Sequence, residues 1–431
     1  MHIKDFDPYD FKKTIVSDVP VYYKNLPWAP CINVRIVFNV GGRVDPLGKE
    51  CLSHFLEHII FNGSPLLPTK KDIKAWGKIN TLNSFNAWTG HYNTAYTLRC
   101  LPEKYPEVLN GLFDTVFNSF IKEENVEEER KIITQESWSR YKNEKYLKYV
   151  KDYLGILYPQ NHHARLASPL GWQDTIQSIS QADIKNWHVE NYTKGNFFIV
   201  LTGAVEESHI QELEKHLKGL KISKGTLNRD SFLDPSLYPI SVPTVLKSIR
   251  NADDIGESKE QVEISYIRVG APFNLEETEI GNVFRRMLHD ILFERMRLEH
   301  SLCYSIGINF NPNKTYSFFA IEIKTDEKNI ELVDIELKKI TEEIQTNIHK
   351  DRFLSMKQIY TDQMKSTELL SEGITNDTVE EIAQYDGRII TQKKQIECIE
   401  QVIYEDVQKL SRWAFDPLYL HTEIILPSKK D

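Results

Sequence analysis

The sequence predicts an α+β fold with two domains of similar structure, and three observations lead to this prediction. The chain has 431 residues, and at roughly 150 residues per domain this length predicts two or three folded units. Runs with the two-residue period of strands are interspersed with helix-like runs along the chain. After a stretch rich in proline and polar residues, a similar order of elements begins again. We therefore favour a duplicated domain, with two unrelated α+β domains as the alternative.

The first half contains a strand-like run at 32–40, INVRIVFNV, which ends at Gly41-Gly42. Its alternating polar and apolar side chains are expected of a half-buried strand. Thr69 is a predicted helix N-cap, with Asp72 three residues later to complete a capping box. The predicted strands of this half are 14–21, 32–40, 83–88, 93–100 and 197–202, and its predicted helices are 48–62, 69–78, 105–120, 126–145, 182–192 and 210–217.

A segment without periodicity separates the two halves. It contains three prolines and several Ser, Asp and Asn residues, which is typical of a linker. We predict an N-terminal domain at 1–222, a linker at 223–245 and a C-terminal domain at 246–431. The predicted strands of the second half are 261–269, 304–310 and 318–324, and its predicted helices are 277–300, 329–349 and 352–370.

Composition and charge argue against several classes of protein. With 41% hydrophobic and 27% charged residues, the chain resembles an ordinary water-soluble protein that buries its cores without disulfides. The 19 glycines and 18 prolines are too few for a disordered or collagenous chain. A formal net charge of -9 disfavours nucleic acid as a partner, because phosphate binding needs a basic surface. Cationic peptides would suit this charge, although the acidic residues need not lie at a binding site.

The cysteines and the N-terminus bear on cellular location. Five scattered cysteines without a CxxC pair argue against a disulfide framework or a cysteine zinc site, and they fit a reducing compartment. The N-terminal segment has no apolar core typical of a signal peptide, and no run reaches the ~18 apolar residues of a membrane span. We therefore expect a cytoplasmic protein that has no membrane partner.

The segment His54-Phe55-Leu56-Glu57-His58 carries the clearest chemical signal. In a helix, positions i and i+4 share a face and i+3 lies beside them, so both imidazoles can bind one cation next to the Glu57 carboxylate. Two histidines and a carboxylate bind zinc and leave a position for water, whose pKa the zinc lowers toward ~7. Glu57 would then accept the proton of the zinc-bound water and deliver it to the leaving amine. The alternative is a chance pair of surface histidines.

A third zinc ligand is expected on another element, and the glutamate-rich segment 127–136 offers candidates. Glu129 and Glu136 are seven residues apart, so they share one helix face, with Ile132 and Ile133 between them. This pattern places both carboxylates at the edge of a buried stripe.

The chain resembles the pitrilysin or insulinase-like zinc metallopeptidases, the inverzincins of peptidase family M16, which include the mitochondrial processing peptidase. GGRVDPLGKECLSHFLEHIIFNGS is similar to the family's signature block. The resemblance implies that His54 and His58 are zinc ligands and Glu57 is the catalytic base. It also implies that Glu136, 78 residues after His58 (136 − 58 = 78), is the third zinc ligand, supported by Glu129.

Two further segments carry the resemblance. LNSFNAWTGHYNTAYTL is similar to the family's active-site edge strand, which implies that Phe85, Asn86 and Ala87 bind substrate by adding a peptide strand to the sheet. The segment 292–304 resembles the family's block in which an arginine and a tyrosine seven residues apart complete the site. The resemblance implies that Arg297 orients a substrate carbonyl and that Tyr304 donates a hydrogen bond to the developing oxyanion. Ser301 stands where this block usually has glycine.

The resemblance also implies an architecture. Each half would be an α/β sandwich with a mostly antiparallel sheet and packed helices, and four such domains would form a closed, clam-like chamber. A chain with two halves needs a partner, and we expect a homodimer in which the second half of one chain serves the zinc site of the other. The implied activity is hydrolysis of short or unfolded peptides. The alternatives are a noncatalytic peptide-binding scaffold and the catalytic subunit of a heteromeric processing peptidase.

Overall fold

The computed structural model describes residues 6–83, 85–158, 168–225, 247–312, 316–366, 370–384 and 387–429. Its strands are β1 (Lys12–Val16), β2 (Val19–Asn25), β3 (Ile32–Phe38), β4 (Asn86–Thr89), β5 (Thr94–Cys100), β6 (Phe197–Gly203), β7 (Lys247–Asn251), β8 (Val262–Gly270), β9 (Ser305–Pro312), β10 (Ser317–Thr325) and β11 (His421–Leu426). Its helices are α1 (Leu52–Ile60), α2 (Lys70–Asn80), α3 (Tyr105–Phe117), α4 (Glu123–Tyr141), α5 (Glu144–Leu157), α6 (Gln173–Ser178), α7 (Gln181–Asn191), α8 (Glu207–Gly219), α9 (Leu275–Leu292), α10 (Ile330–Ile344), α11 (Lys350–Ser366), α12 (Ser371–Gln384), α13 (Gln392–Gln401) and α14 (Tyr404–Ala414).

The described residues form two compact α+β units, each with its own sheet and core. The sheet of the first unit has the strand order β1-β2-β6-β3-β5-β4, and that of the second unit has the order β7-β11-β8-β10-β9. Each sheet has one parallel pair and is otherwise antiparallel. The predicted α+β fold with two similar, mostly antiparallel halves is therefore confirmed.

The two sheets share one topology, which supports a duplication over two unrelated domains. When the additional strand β1 of the first sheet is set aside, each sheet has five strands, and the first of them runs parallel to the last, as in β2 with β6 and β7 with β11. The last strand pairs antiparallel with the second, the second with the fourth and the fourth with the third. The sequence showed this only as a repeated order of elements.

The central strand β3 is buried on both faces. On one face, Ile36 and Phe38 join a core with Phe55 of α1 and Leu112 of α3. On the other face, Val37 packs in a smaller core formed with α12, which includes residues Val379 and Ile382. The predicted strand at 32–40 is present at Ile32–Phe38, but the prediction that it is half-buried is wrong, because a helix from much later in the sequence covers the second face.

The units differ from the predicted contiguous domains because each takes a segment from the other half of the sequence. The first unit lies within Met1–Arg140, Leu166–Phe232 and Glu368–Thr391, and the second lies within Tyr141–Arg165, Leu233–Thr367 and Gln392–Asp431. α12 therefore belongs to the first unit, and α5 belongs to the second. Residues 226–245 of the predicted linker lie outside the described residues.

Local sequence signals agree with the structure at some element boundaries and not at others. Thr69 and Asp72 form the capping box that begins α2. The predicted strand at 14–21 is instead a hairpin of β1 and β2, because Ser17 and Asp18 have left-handed backbone conformations (φ 50° and 70°) that turn the chain. The predicted helix at 277–300 is α9, followed by a π-helical stretch at Phe293–Glu299.

Candidate metal centre

Helix α1 carries the HxxEH segment and is fixed at its start by Asp45. One carboxylate oxygen of Asp45 accepts a hydrogen bond from the backbone N–H of Cys51 at 2.9 Å. The other accepts from the backbone N–H of Ser53 at 2.9 Å and from the Ser53 hydroxyl at 2.6 Å. These bonds satisfy N–H groups that the first turn of a helix leaves without partners. All α1 residues except His58 are buried, so the orientation of the helix on the core is determined by packing.

Three candidate ligands meet where α1 lies against α4. His54 Nε2 lies 3.8 Å from Glu136 Oε2, and His58 Nε2 lies 3.6 Å from the same oxygen. Ligand atoms of the three residues all lie within 4.8 Å of one another, and no other such group occurs in the part of the chain that the structure describes. Atoms about 2.1 Å from a tetrahedral zinc ion are roughly 3.4 Å apart. The donor types and their spacing therefore fit zinc.

Glu129 is not one of the three candidate ligands, but it contacts His58 and holds its ring in place. Its Oε2 lies 3.0 Å from His58 Nδ1, while its Oε1 accepts hydrogen bonds from Asn62 Nδ2 at 3.1 Å and Lys70 Nζ at 2.6 Å. Burial alone would raise the pKa of Glu129, but these three hydrogen bonds lower it to about 2. Glu129 is thus a carboxylate that fixes the ring of His58 with Nε2 toward Glu136.

The sequence placed Glu129 and Glu136 beside two isoleucines at the edge of a buried stripe. Ile133 is fully buried, as expected, whereas Ile132 is 39% exposed. Glu129 itself is buried, and the Glu136 side chain is 43% exposed. The partial exposure of Glu136 leaves the cluster accessible from solvent.

The protonation of the two histidines follows from their surroundings. Burial, with a smaller contribution from His58, lowers the pKa of His54 to about 3, so its imidazole is neutral and able to bind a metal. Burial also acts to lower the pKa of His58, but the hydrogen bond with Glu129 and the nearby charges of Glu57 and Glu136 raise it overall. A metal bound to His58 would replace the proton that makes its imidazole positively charged.

Glu57 lies beside the histidines and is held by the edge strand β4. The Thr89 hydroxyl donates a hydrogen bond to Glu57 Oε2 at 2.7 Å. Burial raises the pKa of Glu57, and the Thr89 hydrogen bond opposes that rise. A carboxylate with a raised pKa is better matched to accept and return a proton near neutral pH.

The substrate-binding residues predicted from the sequence lie next to this cluster. Among the described strands, β4 pairs only with β5 and forms one edge of the first sheet. A pocket of about 390 Å³ lies beside it, and its lining includes Glu57, His58, Phe85 and Asn86. Phe85 and Asn86 therefore share a surface with His58 of the candidate metal cluster, whereas Ala87 is not part of this lining.

Arg297 and Tyr304 lie in the second unit, Arg297 in the π-helical stretch that follows α9 and Tyr304 directly before β9. The guanidinium of Arg297 lies 5.4 Å from the ring centre of Phe293, and the Tyr304 hydroxyl donates to Asp326 Oδ1 at 3.0 Å. Both side chains are exposed. Ser301 between them has a left-handed conformation, φ 50°, which explains why glycine suits this position.

Four contributors to the site were missed by the sequence analysis: Asp45, Asn62, Lys70 and Thr89. Asn62 is four residues after His58, so helical spacing alone would place it near the same face. Asp45 is six residues before Cys51, the N-cap of α1, so a helix-capping pattern does not indicate it. Lys70 and Thr89 reach the site from α2 and β4, and no local sequence pattern predicts their contribution.

Two family models and several known proteins are similar to this chain. Residues 21–163 match the family model described as insulinase (peptidase family M16), and residues 178–360 match the model described as peptidase M16 inactive domain. A Rickettsia felis protein described as an uncharacterized zinc protease is 26% identical over 407 residues, which cover 91% of this chain and 92% of that protein. The beta subunit of the Neurospora crassa mitochondrial-processing peptidase is 27% identical over 246 residues, covering 56% of this chain and 47% of that subunit.

A solved structure shows the same fold. The periplasmic protease PqqL from Escherichia coli superposes with a TM-score of 0.80 at 13% identity, covering 96% of this chain and 47% of PqqL, so this chain spans about half of that protein.

The chain belongs to the pitrilysin or insulinase-like family of peptidases, peptidase family M16. In the described residues, no helix has the length and apolar character needed to cross a membrane.

Proposed function

We propose that this chain is a zinc-dependent endopeptidase in which His54, His58 and Glu136 hold the metal. The observation that carries the proposal is that ligand atoms of these three side chains lie within 4.8 Å of one another. The Glu57 carboxylate lies on the same helix as the two histidines. Similarity to a zinc protease over 91% of the chain supports it. When bound, zinc would polarise a substrate carbonyl and lower the pKa of water at the site.

Glu57 acts as the general base and then as the general acid. The Thr89 hydroxyl already donates a hydrogen bond to Oε2. We therefore assign the proton that Glu57 takes from water to Oε1, from which it passes to the leaving amine. Glu129 holds His58 so that Nε2 faces the metal site. An extended peptide pairs along β4, with Phe85, Asn86 and Ala87 forming the contact surface.

We further propose that Arg297 and Tyr304 complete the site from a second copy of the chain. In such a homodimer, the guanidinium orients a substrate carbonyl and the phenol donates a hydrogen bond to the developing oxyanion. A closed chamber formed by the four domains would admit short or unfolded peptides and exclude folded proteins by size.

The central test is the substitution Glu57→Gln, which removes the base but keeps the shape of the side chain. We expect zinc content to stay at one ion per chain, and kcat/KM on a fluorogenic peptide mixture to fall about 100- to 10,000-fold. Glu128→Gln, which changes an exposed glutamate on α4, is the matched control and should leave both unchanged. Full activity of the Glu57→Gln protein would contradict the proposed mechanism.

The homodimer is tested by complementation. Glu57→Gln and Tyr304→Phe chains are each expected to have low activity as homodimers. When they are coexpressed, half of the dimers would be mixed, and one of their two sites would have all its residues, so about a quarter of wild-type activity returns. A mixture no more active than its components would show that the second half does not act across the dimer.

A second candidate function is a role as one subunit of a heteromeric complex, with or without its own activity. Two observations favour it: the similarity to a mitochondrial-processing peptidase subunit, and the match of residues 178–360 to a model described as an inactive domain. Zinc analysis and native mass measurement separate the candidates. A chain without zinc, or one that is stable only with a different partner chain, would favour the second candidate.

A further inference from the structure

One wall of the pocket beside the metal cluster carries a row of lysines. Lys70, Lys74 and Lys78 are four residues apart on α2, so they share one face of that helix, and all three line the pocket. Lys70 and Lys71 occupy the first turn of α2, where the helix dipole already favours negative charge. The positive charges therefore add to a potential that attracts anions.

The charge of Lys70 is compensated, whereas that of the other two lysines is not. Lys70 Nζ lies 2.6 Å from Glu129 Oε1, and Glu129 is in turn bonded to His58. Across the ranges that the structure describes, no carboxylate lies within ion-pair distance of Lys74 or Lys78. Two unpaired ammonium groups thus flank the pocket at the end of the lysine row away from Glu129.

Part of the remaining lining is apolar, and the rest consists of Glu57, His58, Asn86 and Glu129. Phe61 and Phe85 lie with ring centres 4.8 Å apart, and Ile73 and Gly77 of α2 complete the apolar surface. The pocket therefore offers an apolar surface for the methylenes of a side chain and two ammonium groups for its head.

We propose that this pocket is a substrate subsite that selects a peptide with an acidic side chain, glutamate above all, next to the scissile bond. The proposal rests on the proposed peptidase function, because the lining includes Glu57 and His58 and so adjoins the reacting centre. It names Lys74 and Lys78 as the residues that determine specificity. The net charge of the whole chain favoured cationic peptides. In the pocket, however, the three lysines outnumber the two lining carboxylates, Glu57 and Glu129, and Glu129 is paired with Lys70, so the local charge favours an anionic side chain near Lys74 and Lys78.

The test uses the zinc-loaded chain and fluorogenic peptides that differ at one position, with Glu, Gln or Lys at each site flanking the cleaved bond. Gln has nearly the shape of Glu without its charge, so the Glu/Gln ratio of kcat/KM isolates the electrostatic contribution. At one flanking position, we expect Glu to be preferred over Gln and Lys. We expect each of Lys74→Ala and Lys78→Ala to lower the Glu/Gln ratio about two- to fivefold, and the ratio to fall at higher ionic strength.

Lys71→Ala is the matched control, because it removes the same charge from an exposed lysine of α2 that does not line the pocket. The Glu/Gln ratio should stay unchanged in this variant, and Lys74→Glu with Lys78→Glu should reverse the preference toward Lys. Efficient cleavage with a Glu/Gln ratio near one at every flanking position would overturn the subsite and leave the peptidase function intact.

If no peptide is cleaved, the peptidase function fails, and the subsite is then decided by binding of the same peptides to the zinc-loaded chain, followed by fluorescence anisotropy. Tighter binding of the Glu peptide that is lost in Lys74→Ala and Lys78→Ala, but retained in Lys71→Ala, supports the subsite. Equal binding of the Glu and Gln peptides overturns it.

Discussion

The two ring nitrogens of His58 face two different glutamates. Nδ1 lies 3.0 Å from Oε2 of Glu129, and Nε2 lies 3.6 Å from Oε2 of Glu136. The two carboxylates are on one face of α4, two helical turns apart, and the imidazole lies between them. Glu129 is buried and bonded to Asn62 and Lys70, so it serves as the fixed anchor for the ring.

Substitution of this anchor should weaken metal binding. In the Glu129→Gln variant, His58 loses a charged hydrogen-bond partner, so we expect zinc affinity to fall about 10- to 100-fold, as for other outer partners of ligating histidines. Competition with a chromophoric chelator measures the affinity. Glu128→Gln is the control on the next residue, and an unchanged zinc affinity in Glu129→Gln would show that the anchor has no effect on the metal.

The hydrogen bond from Thr89 to Glu57 should affect catalysis without affecting the metal. In Thr89→Val the carboxylate loses a partner that positions it, and we expect kcat to fall about 10-fold while zinc content stays the same. Thr89→Ser retains a hydroxyl and should restore most of the activity. If Thr89→Ser were as impaired as Thr89→Val, the shape of the side chain, and not its hydrogen bond, would be responsible.

Helix α12 should be essential for the stability of the first unit, although it lies in the second half of the sequence. Ile374 is fully buried in a cluster with Tyr9, Leu26 and Ala29. We expect Ile374→Ala to lower the free energy of unfolding by about 2–4 kcal/mol, as measured by urea denaturation, and to speed hydrogen exchange in β2 and β3. Ile335→Ala is the matched control, because Ile335 is 62% exposed. A similar loss of stability in that variant would show that the burial of Ile374 is not the cause.

The turn before Tyr304 contains a strained residue. Ser301 has φ 50°, a conformation that costs a residue with a side chain about 1 kcal/mol or more and glycine very little. Because glycine also loses more entropy on folding, we expect Ser301→Gly to raise the free energy of unfolding by up to about 1 kcal/mol. Ser301→Val should lower it, since a branched side chain tolerates this conformation poorly. Destabilisation by Ser301→Gly would show that the serine hydroxyl makes a compensating contact.

Local patterns in the sequence were enough to predict several elements and part of the site. Helical spacing placed His54, Glu57 and His58 on one turn-and-a-half of helix, and put Glu129 and Glu136 on one face of another. The capping box at Thr69 and Asp72 fixed the start of α2. A recurring order of strands and helices was enough to suggest two similar domains, which the shared strand topology supports.

The contacts between distant segments, by contrast, depend on the fold as a whole. The placement of α12 on the first sheet and the reach of Lys70 and Thr89 to the glutamates depend on packing between elements far apart in the sequence. Burial also changed the meaning of a pattern, because β3 alternates polar and apolar residues and is nevertheless covered on both faces. Local periodicity records the preference of each strand or helix, whereas the partner that covers it is chosen by the fold as a whole.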